Sequence, residues 1–171
     1  MSESTEQHRR DAQSQGSIAC AVITVSDTRT PETDGGGALI ADLLVSASHR
    51  VVSRLIVKDE AKQIAGALRE IKLGKTVQAV MITGGTGITR RDVTPDIVES
   101  FLDKRLDGFG EIFRVLSFEE IGPAAMLSRA VAGVMGEILV FAMPGSTAAV
   151  RLAMERLIIP DLRHLVHEAR K

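Results

Sequence analysis

The sequence predicts an α/β fold, a three-layer α/β/α sandwich with a mostly parallel central sheet. Short apolar runs rich in β-branched residues alternate with amphipathic segments of helical period along most of the chain. Such alternation indicates parallel strands joined by helical crossovers, with helices on both faces of the sheet. With 171 residues, the chain is long enough for one core, so we expect a single domain over residues 18–171.

Residues 1–17 are polar and lack the apolar segment of a secretory signal, which predicts a disordered tail. No apolar run approaches the roughly 20 residues that cross a bilayer, so we expect no membrane partner and a cytoplasmic location. The 21 basic groups nearly cancel the 22 acidic groups, which argues against a nucleic-acid partner. Cys20 lies inside an apolar run and is expected to be a small buried hydrophobe.

The first half of the chain predicts three strands and two helices, each supported by its hydrophobic period. Gly74 lies where a left-handed cap would end the second helix. The expected elements are, in order, a strand at 18–25, a helix at 36–48, a strand at 51–57, a helix at 60–73 and a strand at 77–82.

The second half begins with a helix predicted from 95 to about 103, with the Thr94 hydroxyl as its N-cap and Pro95 at its first position. Residues 108–132 are expected to be helical in two pieces, broken at Gly122-Pro123. The remaining predicted elements are a strand at 138–143 and helices at about 147–157 and 160–169.

Ligands of open parallel sheets bind outside the carboxyl ends of the strands, and four loops are expected there. One of them, 83–92, places Gly-Gly-Thr-Gly between a strand and a helix, where free N–H groups can bind an anion. It is not a Walker A motif, because it has no lysine, nor a dinucleotide fingerprint, because Arg90 falls on the third glycine position. A plain tight turn remains the alternative to a phosphate cradle. The other three loops are 26–28, 58–60 and 144–146.

Three carboxylates, those of Asp27, Asp59 and Asp92, accompany these loops. Carboxylates repel a polyphosphate unless a cation lies between them, and Mg²⁺ is held by one or two carboxylates together with substrate phosphates. The alternative is that the aspartates only shape turns or favour a helix dipole. Arg90 or Arg91 could bind phosphate through its guanidinium group, or could simply be solvated.

Six segments of the chain form a recognisable combination: SDTR at 26–29, KDE at 58–60, TGGTGITRRDVTPD at 83–96, GFGE at 108–111, AMLSR at 125–129 and MPGS at 143–146. Together these segments resemble the MoaB/Mog family of molybdenum cofactor biosynthesis proteins, over about Ile18 to Leu165. The combination of TGGTG, RDVTPD and GFGE is specific to that family, and several segments are more similar to its MoaB branch than to its Mog branch.

The resemblance implies an enzyme that binds molybdopterin and transfers AMP from Mg·ATP to its terminal phosphate, releasing pyrophosphate. Asp59 and Asp92 match the family's functionally important acids, so we expect both to be catalytic and to hold Mg²⁺. The N–H groups of residues 84–87 would cradle phosphate. The substrate-binding and nucleotide-binding residues implied are Ser26, Asp27, Thr28, Thr83, Gly84, Gly85, Thr86, Gly87, Arg91, Glu111, Ser128, Pro144, Gly145 and Ser146.

The resemblance also implies a homotrimer or a homohexamer. One departure from the family pattern concerns the turn at 144–146, which Pro-Lys usually follows in the family and Thr147-Ala148 follows here. A cation expected near a second anionic group is therefore missing. Two hypotheses follow, an adenylyltransferase and a non-catalytic pterin-binding or assembly protein of the same pathway.

Overall fold

A mixed β-sheet of six strands forms the centre of the computed structural model, which describes residues 16–171. The strands are β1 Ala19–Val25, β2 Arg50–Val57, β3 Ala79–Thr83, β4 Lys104–Arg105, β5 Val131–Met135 and β6 Ile138–Met143. The strand order is β2-β1-β3-β6-β5-β4. The first four strands in this order run parallel, whereas β5 pairs antiparallel with both β6 and β4.

Helices cover both faces of this sheet, which confirms the predicted α/β fold with a mostly parallel sheet. The α-helices are α1 Gly35–Ser46, α2 Ala61–Gly74, α3 Thr94–Phe101, α4 Asp107–Ile121, α5 Thr147–Ala153 and α6 Leu162–Ala169. Alternate residues of β1 point to opposite faces, so Cys20 and Val22 pack with α1, α4, α5 and α6, whereas Ala21 and Ile23 pack with α2 and α3.

The prediction that residues 108–132 are helical in two pieces, broken at Gly122-Pro123, agrees with the structure at the break and is wrong beyond residue 127. Helix α4 ends at Ile121, its C-cap Gly122 has a φ of 63°, and a 3-10 helix covers Gly122–Leu127. The chain then enters β5, which a two-residue loop beginning with Gly136 joins to β6. A glycine of positive φ at the first position of a two-residue loop is a hairpin signal, and Gly136 has a φ of 64°. The short β4 was also not predicted.

Smaller corrections concern the ends of elements. The left-handed residue after α2 is Lys75, with a φ of 51°, because Gly74 is still helical. Thr94 does not cap α3, since the helix begins at Thr94 itself and its N-cap residue is Val93. The third strand begins and ends later than 77–82, at Ala79–Thr83. The two predicted closing helices are joined by a π-helix at Met154–Ile158 and a 3-10 turn at Ile159–Asp161.

Cys20 is fully buried in the middle of the sheet, as predicted, and burial raises the pKa of its thiol to about 12. The predicted tail at 1–17 lies outside the described residues except for residues 16 and 17, which are exposed and have no regular structure. Within residues 16–171, no helix is both long and apolar enough to cross a membrane.

Candidate functional site

The carboxyl ends of the parallel strands bring the four predicted loops together. The Asp59 N–H donates to the Asp27 carboxylate at 3.3 Å, and the Arg91 guanidinium lies 2.7 Å from the same carboxylate. The Thr83 hydroxyl donates to the Pro144 carbonyl at 3.0 Å. We call these four loops the rim, which consists of residues 26–28, 58–60, 83–92 and 144–146.

Three glycines of the rim occupy positions where the surrounding atoms leave no room for a side chain. A Cβ on Gly84, which has a φ of 101°, would lie 2.2 Å from a backbone carbonyl of β1. A Cβ on Gly85, with a φ of 62°, would lie 2.9 Å from both Asp59 oxygens. A Cβ on Gly87 would lie 2.8 Å from Asp92 Oδ2. The glycines therefore let two carboxylates pack directly against the loop backbone.

The free N–H groups of the glycine loop are fewer than predicted. The Gly84 N–H donates to the Met143 carbonyl at 3.1 Å, so it is not available to a phosphate. The Gly87 N–H hydrogen-bonds to the Asp92 carboxylate. In the described part of the chain, the N–H groups of Gly85 and Thr86 donate to no acceptor. A phosphate cradle on this loop is thus limited to those two donors.

The two carboxylates on the loop differ in their electrostatic environment. Burial, reinforced by the nearby charges of Asp92 and Asp27, raises the pKa of Asp59. Its Oδ1 atom is buried and accepts no hydrogen bond from any described residue. Hydrogen bonds from the side chain and backbone of Thr89, and from Gly87, lower the pKa of Asp92. Asp92 is therefore already stabilised as an anion, whereas for Asp59 burial outweighs the Val93 N–H hydrogen bond and the charge of Arg91, both of which favour the anion.

This environment fits a magnesium ion that arrives with a nucleotide. No three His, Cys, Asp or Glu side chains of residues 16–171 are grouped so that they could hold a metal by themselves. Mg²⁺ does not require such a group, because it keeps several waters and shares its remaining positions between one or two carboxylates and substrate phosphates. The unpartnered Asp59 Oδ1 beside Asp92 and Asp27 is a place where a cation would relieve charge repulsion.

A cavity of about 630 Å³ adjoins the rim, a size that is usual for a small-molecule site. Its lining residues include Ser26, Asp27, Arg54 and Lys58. Arg54 donates to the buried Asp34 carboxylate at 2.8 Å, so most of its charge is already paired.

A buried carboxylate supports the wall of this cavity. Asp34 also accepts hydrogen bonds from the Gly37 N–H at 2.9 Å, as the cap of α1, and from the Thr24 hydroxyl at 2.9 Å. Burial opposes ionisation of Asp34, but the hydrogen bonds from Arg54, Gly37 and Thr24 outweigh it and lower its pKa. The start of α1 is therefore anchored to β1 and β2 directly behind the cavity.

Four further predicted site residues have different surroundings. Ser146 is the N-cap of α5, where its hydroxyl accepts the Ala149 N–H at 3.2 Å. Thr28 lies in an exposed turn closed by the Ser26 hydroxyl. The Ser128 hydroxyl is buried with no partner among the described residues. Glu111 lines a separate cavity of about 280 Å³ with Arg105 and Arg114, and the structure does not bring it to the rim.

Arg129 is joined to the rim in the structure, although no sequence pattern predicted a role for it. Its backbone N–H donates to the Thr86 carbonyl at 3.2 Å, and its Nε donates to the Gly87 carbonyl at 2.8 Å. Its guanidinium also bonds the Asp92 carbonyl and the Asp96 carboxylate. The signal available in the sequence was an arginine at the end of the AMLSR segment, directly before the apolar residues 130–132.

Comparison with known proteins decides the family. A model of the MoCF_biosynth family, described as "Probable molybdopterin binding domain", matches residues 21–164. The chain belongs to this family. Two MoCF_biosynth relatives are both named Molybdenum cofactor biosynthesis protein B. The one from Halalkalibacterium halodurans is 50% identical over 169 residues, 98% of each chain, and the one from Staphylococcus carnosus is 52% identical over 157 residues, 90% of this chain and 92% of its own.

Solved structures agree with this MoCF_biosynth assignment. A crystal structure of Molybdenum cofactor biosynthesis protein B is 49% identical, covers 90% of this chain and 96% of its own, and superposes with a TM-score of 0.87. The tungsten cofactor synthesizing protein MoaB from Pyrococcus furiosus is 38% identical, with coverages of 92% and 99% and a TM-score of 0.82. The predicted family resemblance is confirmed, and the protein has a role in molybdenum cofactor biosynthesis.

Proposed function

We propose that the protein is an Mg²⁺-dependent molybdopterin adenylyltransferase, which transfers AMP from ATP to the terminal phosphate of molybdopterin. One observation carries the proposal: the Asp59 and Asp92 carboxylates pack on a glycine loop, and Asp59 Oδ1 is buried without a partner. An acidic site of this kind disfavours a bare polyphosphate and favours one that carries a divalent cation. The family description and the names of the relatives support molybdopterin as the other substrate.

The proposed reaction needs positioned anions rather than a covalent nucleophile on the protein. An oxygen of the molybdopterin phosphate attacks the α-phosphorus of ATP, the bond from that phosphorus to the bridging oxygen breaks, and pyrophosphate leaves with the electron pair. When bound, Mg²⁺ supplies charge neutralisation on the phosphate oxygens. Asp59 and Asp92 would hold it, and the N–H groups of Gly85 and Thr86 would orient one phosphate group.

Arg91 is the candidate for a further phosphate contact. Its guanidinium is 2.7 Å from the Asp27 carboxylate, and its side chain is 66% exposed. One edge of the Arg91 guanidinium group is therefore held by the rim, while the opposite edge remains open to solvent. The adjoining cavity beside Ser26 would accept the pterin, and the turn at 144–146 would close the nucleotide side.

A second candidate function is a non-catalytic pterin-binding or assembly protein of the same pathway. The observation that favours it is at the start of α5, where Thr147 and Ala148 are exposed and neither provides a cation. A substrate with a second anionic group would find no positive charge on this turn.

Pyrophosphate release from purified protein, molybdopterin and Mg·ATP separates the two functions. We expect release by the wild type and a fall of about 100-fold in Asp92→Asn, as for the loss of a metal ligand or its support. Asp42→Asn, an exposed position of α1, is the matched control and should keep full activity. Binding of molybdopterin without pyrophosphate release would favour the second function. Full activity of Asp92→Asn would reject the metal assignment.

We also propose that copies of the chain associate through α4 and the 3-10 helix that follows it. Six large apolar side chains there are each more than half exposed, and those on α4 recur every three residues. Patches of this kind mark interaction surfaces in proteins. A homotrimer or homohexamer would bury this apolar face, which consists of Ile112, Val115, Phe118, Ile121, Met126 and Leu127.

A further inference from the structure

The glycine loop of the rim is held at both ends by one side chain from a distant part of the sequence. Arg129 lies 42 residues from Gly87, whose carbonyl accepts from its Nε at 2.8 Å, and 37 residues from Asp92, whose carbonyl accepts from its Nη2. The Arg129 N–H adds a bond to the Thr86 carbonyl at 3.2 Å. The segment between these carbonyls contains the exposed Arg90 and Arg91.

The same side chain fixes the loop to the next helix. Nη1 of Arg129 donates to both carboxylate oxygens of Asp96, at 3.1 and 2.9 Å, and Asp96 lies in the first turn of α3. Each of the three guanidinium nitrogens therefore has an acceptor. Because all three nitrogens bond to the protein, Arg129 offers no open edge to a phosphate, whereas the Arg91 side chain, although paired with Asp27, is 66% exposed.

We propose that Arg129 is a positioning residue, which holds the Gly85–Thr86 donors and the Asp92 carboxylate in the geometry that binds Mg·ATP. This inference rests on the proposed function. The planar fork of arginine reaches three separate acceptors at once, whereas lysine has a single terminal nitrogen and would reach one of them. A positive charge at position 129 is therefore not enough to hold the loop, because the three acceptors require the shape of the guanidinium group.

The test uses Arg129→Gln and Arg129→Lys in the full-length protein. The matched control is Arg105→Gln, because Arg105 also bonds α3, through Glu99 at 2.9 Å, but contacts no residue of the glycine loop among those described. Three quantities are measured: Mn²⁺ affinity in the presence of a non-hydrolysable ATP analogue, the kinetics of AMP transfer, and hydrogen exchange of the peptide covering 84–92.

We expect both Arg129 variants to bind Mn²⁺ about 10-fold more weakly and to lose about 100-fold in kcat, with the KM for molybdopterin within a factor of two of the wild type. Exchange at 84–92 should accelerate, and the lysine variant should not restore activity. The control should match the wild type in all three measurements.

Two results would overturn the inference. One is a folded Arg129→Gln protein with unchanged Mn²⁺ affinity, kcat and exchange. The other is a uniform loss that extends to the KM for molybdopterin and to exchange throughout the chain, because a purely structural role predicts that pattern. If the wild type itself neither binds Mn²⁺ with nucleotide nor transfers AMP, the proposed function fails, while exchange at 84–92 still decides whether Arg129 holds the loop.

Discussion

The Asp59 carboxylate occupies the space that a side chain on Gly85 would need, with both oxygens 2.9 Å from the position of a Cβ. The Thr94 hydroxyl is closer still, at 2.4 Å from the same point. Gly85 also has a φ of 62°, which an L-residue rarely adopts. Close packing and backbone conformation thus both require glycine beside the proposed metal ligand.

Gly85→Ala should consequently displace Asp59 or the loop and lower AMP transfer by about 100-fold. It should also destabilise the fold by about 1 to 3 kcal/mol, measured by urea denaturation. Gly66→Ala is the control, because nothing lies within 4 Å of its Cβ position in α2 and an alanine inside a helix should stabilise by roughly 0.5 to 1 kcal/mol. Equal stability of both variants would contradict the assigned contact.

His49 should make the fold less stable in mild acid. Its Nδ1 accepts the Ile18 N–H at 3.2 Å, so the ring is held in its neutral form. Burial, and then the charge of Arg163, lower its pKa below the ordinary 6.5. The unfolded chain therefore binds a proton at His49 more readily than the folded chain does. The contribution of neutral His49 to the free energy of unfolding is fully present above pH 6.5, and it is lost as the pH falls toward the lower pKa of the folded state.

Thermal melts between pH 7.5 and 5 check this, with His49→Asn as the comparison. The asparagine amide oxygen can accept the same N–H but does not titrate. The Tm of the wild type should fall more steeply over this range than that of the variant. Parallel curves would show that His49 does not contribute.

Ala148→Lys should strengthen binding of an anionic substrate at the turn before α5. Ala148 is exposed, so a lysine fits without repacking. We expect the KM for molybdopterin to fall about 3-fold to 10-fold at low salt, with the gain shrinking as salt increases. A lysine in the first helical turn opposes the helix dipole, which costs about 0.3 to 1 kcal/mol of stability. Ala148→Gln controls for size, and an equal effect of both substitutions would rule out charge as the cause.

Phe118→Glu should dissociate the proposed oligomer. The side chain is 57% exposed on the apolar face, and a carboxylate there would be desolvated without a partner on association. Sedimentation velocity should give a trimer or hexamer for the wild type and a monomer for the variant. Leu73→Glu replaces an apolar side chain that is 79% exposed but lies at the end of α2, so it should leave the assembly intact.

Sequence patterns predicted the elements whose hydrophobic period is long or whose composition is strongly β-branched, and β1, β2 and β6 agree with their predictions to within one residue. They failed at β5, because Val131–Met135 contains alanine, glycine and methionine, and because no glycine or proline separates it from the 3-10 helix Gly122–Leu127. The alternation of strands and helices along the chain was enough to predict that three aspartates share one rim, because the carboxyl ends of parallel strands meet at one edge of the sheet.

The parts of the site that sequence could not supply depend on distant backbone atoms. Whether the Gly84 N–H is free is decided by the Met143 carbonyl on the neighbouring strand. The contribution of Arg129 is decided by carbonyls 37 and 42 residues away. No local pattern encodes such contacts, because a carbonyl is present at every position and only the tertiary fold selects which one is used.

The buried Cys20 has a practical use in studying this rim. It is the only cysteine of the chain, it is inaccessible, and its thiol has a pKa of about 12, so maleimides and spin labels should not modify it in the native protein. A cysteine introduced at exposed Arg90 could then carry a fluorophore without any background substitution. Loop motion during a catalytic cycle could be followed by spectroscopy in an otherwise natural chain.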